Sequence, residues 1–188
     1  MLNKKNNRLR TKMRAYKITS AALLILLSMS LNANNFHIKK EWGSSIENIT
    51  KTIPEGIKTM QFNPASQPDY TNKIMNYVLA IDPQIVENII IMRLASKPQT
   101  DCMFIKNKLY SLMEDWKTVD AKEQKNILDS LSKEFGQSNL QREEDMSIYS
   151  FSNENTKVLF YVKKLTSNEF KCKTYFYTKK LFRMLMME

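Results

Sequence analysis

The chain is 188 residues long, with three glycines, five prolines, one histidine and two cysteines. So little Gly and Pro excludes a low-complexity chain. Three glycines supply no phosphate-cradling loop, and one His with two distant Cys does not make a zinc set. The net charge of +10 would ordinarily point to nucleic acid, but its distribution along the chain argues otherwise.

The first seventeen residues carry Lys4, Lys5, Arg8, Arg10, Lys12, Arg14 and Lys17 and no acid. An apolar run, Ile18 to Leu31, follows and ends at Asn32-Ala33-Asn34-Asn35. A basic region, a short apolar core and a polar boundary make a secretory signal peptide. At 14 residues the core falls short of the roughly 20 needed to span a bilayer as a helix. The expectation is a signal peptide over 1–33 with cleavage after Ala33, or after Ser30 with Ser28 at −3. No Cys follows the core, so no lipid anchor is expected. A periplasmic or secreted domain over 34–188 results. It retains 22 basic and 19 acidic residues, a net of +3, and nucleic acid drops out as an expected partner. Cys102 and Cys172 both lie in this exported part. An even count in an oxidising compartment favours a disulfide between them, worth about 4 kcal/mol for a loop of this length. The alternative is two buried free thiols.

Along the exported part, Trp42-Gly43-Ser44-Ser45 reads as a turn into a short helix carrying Ile46, Ile49 and Ile53, stopped by Pro54-Glu55-Gly56. Ile57 to Phe62 reads as a strand and the segment from Asn63 to Asp69 as a loop. Residues 70–98 are ambiguous: Met75 to Ile81 fits helix or strand, Asp82-Pro83 fits a helix start, and Ile89 to Met92 is too short to assign by period. Residues 99–117 fit a helix or a hairpin turning at Lys106-Asn107-Lys108; the hairpin is preferred. Asp120 caps a helix with Glu123 at the capping-box position, an apolar stripe of Ile127, Leu128, Leu131 and Phe135, and Gly136 as its stop.

Ile148 to Phe151 is a short strand, and Lys157 to Leu165 with Glu169 to Thr178 form a hairpin. A three-residue loop pairs Val162 with Cys172, Val158 with Phe176 and Lys163 with Lys171; a one-residue slip would mix the two faces. One face is then apolar. The other carries Lys157, Tyr161, Lys163, Lys171, Lys173, Tyr175 and Tyr177. The segment from Thr156 to Glu188 has a local charge of +6, against −3 for Asn34 to Asn155. A cation-rich tyrosine face suits a protein interface; an anionic lipid or glycan would also fit, as would a solvated face guarding an edge strand. The end, Leu181 to Met187, is apolar. A weak internal repeat matches Cys102 with Cys172 and Lys108-Leu109-Tyr110 with Lys180-Leu181-Phe182, which divides the domain into similar helix-plus-hairpin halves at 42–117 and 120–188.

The Trp42-Gly43-Ser44-Ser45 turn and helix, the strands after it, the helix ending in Leu131-Ser132-Lys133-Glu134-Phe135-Gly136 and the closing strands resemble small exported bacterial proteins of the β-lactamase-inhibitor-protein type. They are also similar to the related outer-membrane-assembly lipoprotein module. The resemblance runs from Trp42 to Phe182. It implies helices packed on one face of an antiparallel sheet and a protein partner.

Catalytic chemistry has little to work with. His37 lies in an N-terminal arm, read as exposed. Glu114-Asp115 and Glu143-Glu144-Asp145 are read as solvated surface acids. The expectation is an α+β domain with helices on one face of an antiparallel sheet, without catalytic, metal or cofactor site. It acts as a non-enzymatic binding protein through the Lys and Tyr face. Alternatives are a carboxylate-dependent envelope hydrolase and a peripheral membrane protein.

Overall fold

Local capping determines where the helices and 3-10 turns begin. The computed structural model describes residues 37–180; the expected signal peptide, 1–33, and the apolar tail, 181–187, lie outside the described residues. Helix α1 (Ile46–Lys51) starts at Ser45, whose hydroxyl accepts from the Asn48 N–H. Strand β1 (Thr59–Phe62) follows. Asn63 then caps a short 3-10 turn, Pro64–Ser66, and Asn72 caps α2 (Lys73–Ile81) by accepting from the N–H groups of Ile74 and Met75. Met75 to Ile81 is therefore helical. Asp82-Pro83 opens only the 3-10 turn Pro83–Asn88, after which the apolar run becomes β2 (Ile89–Leu94).

Strands β3 (Gln99–Ile105) and β4 (Lys108–Asp120) form the preferred hairpin. Its turn needs positive φ at two non-glycine residues, Lys106 (48°) and Asn107 (60°). Helix α3 (Ala121–Phe135) begins where Asp120 accepts from the Glu123 N–H at 2.7 Å, and stops at Gly136 with φ 84°. Strands β5 (Asn139–Glu143), β6 (Met146–Ser152), β7 (Thr156–Lys164) and β8 (Glu169–Thr178) complete the chain. β5 has no apolar alternation and is exposed at every position, so periodicity could not reveal it.

All eight strands join one antiparallel sheet in the order β1-β2-β3-β4-β8-β7-β6-β5. Each half is thus a helix followed by a four-stranded meander, and the last strands of the two halves, β4 and β8, pair antiparallel at the centre. The weak sequence repeat is out of step with this topology. It matches Cys102 on β3 with Cys172 on β8, whereas the counterpart of β8 is β4.

Adjacent strand residues point to opposite faces, and here both faces carry apolar side chains. On the first face, Ile49 of α1 and Ile127, Leu131 and Phe135 of α3 pack on Leu94, Cys102, Phe104, Leu112, Phe160 and Phe176. On the second, Ile74, Met75 and Val78 of α2 pack on Ile91, Met103, Met113, Tyr175 and Tyr177. The α+β class with an antiparallel sheet stands, but helices lie on both faces, not one. The cause is composition. β2 and β3 are apolar on both sides and buried along most of their length, so one layer of helices could not dehydrate them. Burying a side chain such as Phe104 or Phe160 contributes roughly 2–3 kcal/mol.

The expected disulfide is absent: Cys102 and Cys172 are both free and buried. They share the first core, but the register keeps them apart. Cys102 lies opposite Leu112, which pairs with Phe176, four residues from Cys172. Two strand spacings and four residues of offset put their Cα atoms roughly 16 Å apart, against a bridging limit of about 7 Å. Burial pushes the Cys102 thiol well up and the Cys172 thiol up to about 12, so both stay protonated and unreactive.

Candidate binding surface

The register places the seven predicted surface residues on the second face as expected. Lys157 pairs with Tyr177, Leu159 with Tyr175, Tyr161 with Lys173, and Lys163 with Lys171. Their exposure divides them. Tyr175 and Tyr177 are each only 4 % exposed, beneath α2. They are core residues, because the connection 63–88 crosses to this face and covers it as far as β8. Burial pushes both phenols up to about 12, so they remain neutral. Lys157, Tyr161 and Lys173 are half-buried, and Lys163 and Lys171 are exposed.

Beyond α2 the face continues uncovered over β7, β6 and β5. Tyr161 marks the border: its ring meets that of Tyr175 edge-on at 5.5 Å, and the Lys73 ammonium of α2 lies 4.2 Å from its centroid. Ile148 pairs with Tyr161 and Met146 with Lys163, and both are half-buried. Leu159, Tyr161, Ile148 and Met146 thus form an apolar shelf with Lys163 and Lys171 at one end. Like charges across a strand pair repel; Asp145, 3.0 Å from Lys163, offsets this.

A cavity of about 480 Å³ opens under the loop 67–71, walled by residues of β2, β3, β4 and β8. Arg93 on its wall is held side-on by Asp101, Nε to Oδ1 and Nη2 to Oδ2 both at 2.8 Å, and its guanidinium lies beside the edge-on pair of Phe62 and Tyr70, 5.3 and 5.6 Å from their ring centroids. Asp101 is completely buried. Burial and this carboxylate push the Tyr70 phenol far up. Asp115 accepts from the Lys117 ammonium at 2.9 Å and from the Lys117 N–H at 3.0 Å, with Lys173 at 3.6 Å. Burial alone would raise its carboxyl, but Lys117 and Lys173 outweigh that and hold it below the ordinary value. A β-bulge shifts the β4–β8 register between Asp115 and Lys117. The extra residue turns Val119 into the first core and leaves Lys117 at φ 59°.

The opposite face holds a second cavity, about 540 Å³, between the strap at residues 37–42 and α3. His37 is not a free arm. Its Nδ1 lies 2.9 Å from Glu114 Oε1, its ring centroid is 5.8 Å from that of Trp116, and the neighbouring Ile38 is buried. The hydrogen bond to Glu114 raises the imidazole above its ordinary value against the opposing effect of burial. Lys40 bridges to Glu134 at 2.9 Å and lies 4.4 Å from the Phe176 ring centroid. Trp42 donates from Nε1 to Thr156 at 2.8 Å.

The acids need the same correction. Glu114 and Asp115 are buried, 6 % and 7 % exposed, and strand alternation sends them to opposite faces of the sheet. Neighbours so placed cannot converge on one bond as paired-carboxylate hydrolysis requires. Glu143, Glu144 and Asp145 are exposed, as expected. Sequence reasoning missed the Arg93–Asp101 pair. Its signal was present: one charge inside each of two apolar strands that flank a tight connection. Among the described residues no group of three His, Cys, Asp or Glu side chains could hold a metal ion. No protein-family model, curated protein or solved structure matches the chain.

Proposed function

We propose that this is an exported, non-enzymatic binding protein of the cell envelope or exterior. It engages a protein partner through the half of the second sheet face that α2 leaves uncovered. The observation that carries the reading is the shelf of Leu159, Tyr161, Ile148 and Met146, half-exposed on a sheet whose corresponding positions on β2 to β4 are buried. Apolar and aromatic groups beside exposed lysines have the composition of a protein-binding patch, and a hydrogen-bonded sheet presents them without reorganisation. Tyr175 and Tyr177 support this surface from beneath α2 and do not form part of it.

The test uses three proteins as bait against the envelope fraction: wild type, the charge reversal Lys163→Glu/Lys171→Glu/Lys173→Glu, and a control reversal on α3, Lys125→Glu/Lys133→Glu. A partner retained by wild type and control and lost by the sheet variant, at unchanged circular dichroism, is the expected result. Equal capture by all three removes this face from the function. Export is tested by the amino terminus of the native product: it should begin at Asn34, or at Leu31, and a product retaining Lys4 to Lys17 contradicts it.

A further inference from the structure

We propose that the cavity beside Arg93 receives an acidic side chain of the protein partner; the inference rests on the binding-protein reading and names the chemistry of the contact. Three cations face this cavity: Arg93, Lys117 and Lys173. Of the acids that balance them, Asp101 lies behind the wall and Asp115 lines the cavity floor with its carboxylate already engaged by both lysines. Asp101 is fully buried behind Arg93, and Asp115 is buried between the two lysines. The cationic groups are left on the open side, with Asp69 the one exposed acid on the rim.

Arg93 is prepared for this role. Its Nε and Nη2 are committed to Asp101, while among the described residues no hydrogen bond engages Nη1. The two bonds to Asp101 fix the guanidinium, with the Phe62 and Tyr70 rings beside it, so less side-chain entropy remains to be lost when a carboxylate docks on the outer edge. Lys117 supplies the second argument. Positive φ at a residue with a long side chain is uncommon, and Asn or Gly would take the bulge more easily. A lysine held there by two bonds to Asp115, with its side chain 64 % exposed, places an ammonium at the cavity mouth at a conformational cost. Lys173 belongs at once to the cavity and to the sheet face, where it pairs with Tyr161. One partner segment can therefore lie on the shelf and reach into the cavity.

The test is an NMR titration of the full chain. The probe is an acetylated, amidated peptide of alternating Glu and Tyr, with a Gln-for-Glu peptide and inorganic phosphate as comparisons. Saturable shifts of the Arg93 Nε–H and of the 115–117 amides with the Glu peptide, absent with the Gln peptide and weakened by salt, are expected. Lys117→Asn keeps the bulge conformation and removes the charge; it should weaken binding about fivefold, the scale of one exposed ion pair, and adding Lys173→Gln should weaken it further, with circular dichroism unchanged and a lower Tm because the buried Asp115 then loses both of its cations. Shifts at the 148 and 161 amides without any at Arg93 would overturn the cavity assignment and leave the shelf standing. No shift at either would remove both. Phosphate moving Arg93 as strongly as the Glu peptide would make the cavity a general anion site, against the assignment.

Discussion

The two halves of the sheet begin alike and end differently. In the first half, β1 and β2 are joined by residues 63–88, which fold into α2 and two 3-10 turns and lie on the second face; in the other, β5 and β6 are joined by Glu144 and Asp145 alone. On the first face both halves are covered, by α1 and by α3. The second face is covered on one half only. The strands record this difference. β2 and β3 are apolar on both sides, whereas β6 and β7 alternate buried Phe151, Val158 and Phe160 with Ser150, Ser152, Lys157 and Lys163. The lesson is that a single connection decides how much of a sheet becomes core and how much remains available to a partner.

The comparison can be strained most severely from within the shared core. Phe160→Ala, on the face that both halves bury, should cost about 3–5 kcal/mol in urea melts; a loss under about 1 kcal/mol would mean that α3 does not seal this face. Next come two tyrosines on neighbouring strands of the second face. Tyr175→Ala, beneath α2, should cost about 3 kcal/mol, and Tyr161→Ala, on the uncovered side, less than half of that. Equal losses would erase the asymmetry. Asp101→Asn should then cost about 2 kcal/mol. It leaves Arg93 without its counter-charge, and the 29 % exposure of the arginine softens the usual penalty for breaking a buried pair.

The smallest effect concerns the strap. A histidine whose folded pKa is raised contributes stability that is fully present below its unfolded value, near 6.5, and is lost as pH rises through the folded value. His37 is raised by Glu114, and its side chain is 51 % exposed. His37→Gln should therefore lower stability by under about 1 kcal/mol at pH 5.5 and leave it unchanged at pH 8.5. A larger loss at the higher pH would contradict the His37–Glu114 contact.

What could be read in the residues was mostly local. The β7–β8 register follows from strict alternation and a three-residue loop and α3 from Asp120 and Gly136; the turn residues at 106–108 only permit the β3–β4 hairpin, and the preference for it over a helix rests on a repeat that the topology does not follow. What escaped depended on distant packing. Met75 to Ile81 is too short to distinguish helix from strand, and nothing within it says that it will lie over Tyr175 and Tyr177. A bulge at Asp115–Lys117 leaves no mark in a pattern read two residues at a time. The disulfide was inferred from compartment and cysteine count, quantities blind to the roughly 16 Å that the register sets between Cα atoms. His37 looked free because Glu114, its partner, looked like a surface acid.

Hydroxyl-radical footprinting of the free protein reads the covered and uncovered halves of the second face in one measurement. Met146 and Tyr161 should oxidise readily while Met103, Met113 and Tyr175 are protected. Labelling of Met113 and Tyr175 as fast as that of Met146 and Tyr161 would show that α2 does not cover this face, and the division between core and binding shelf would not exist.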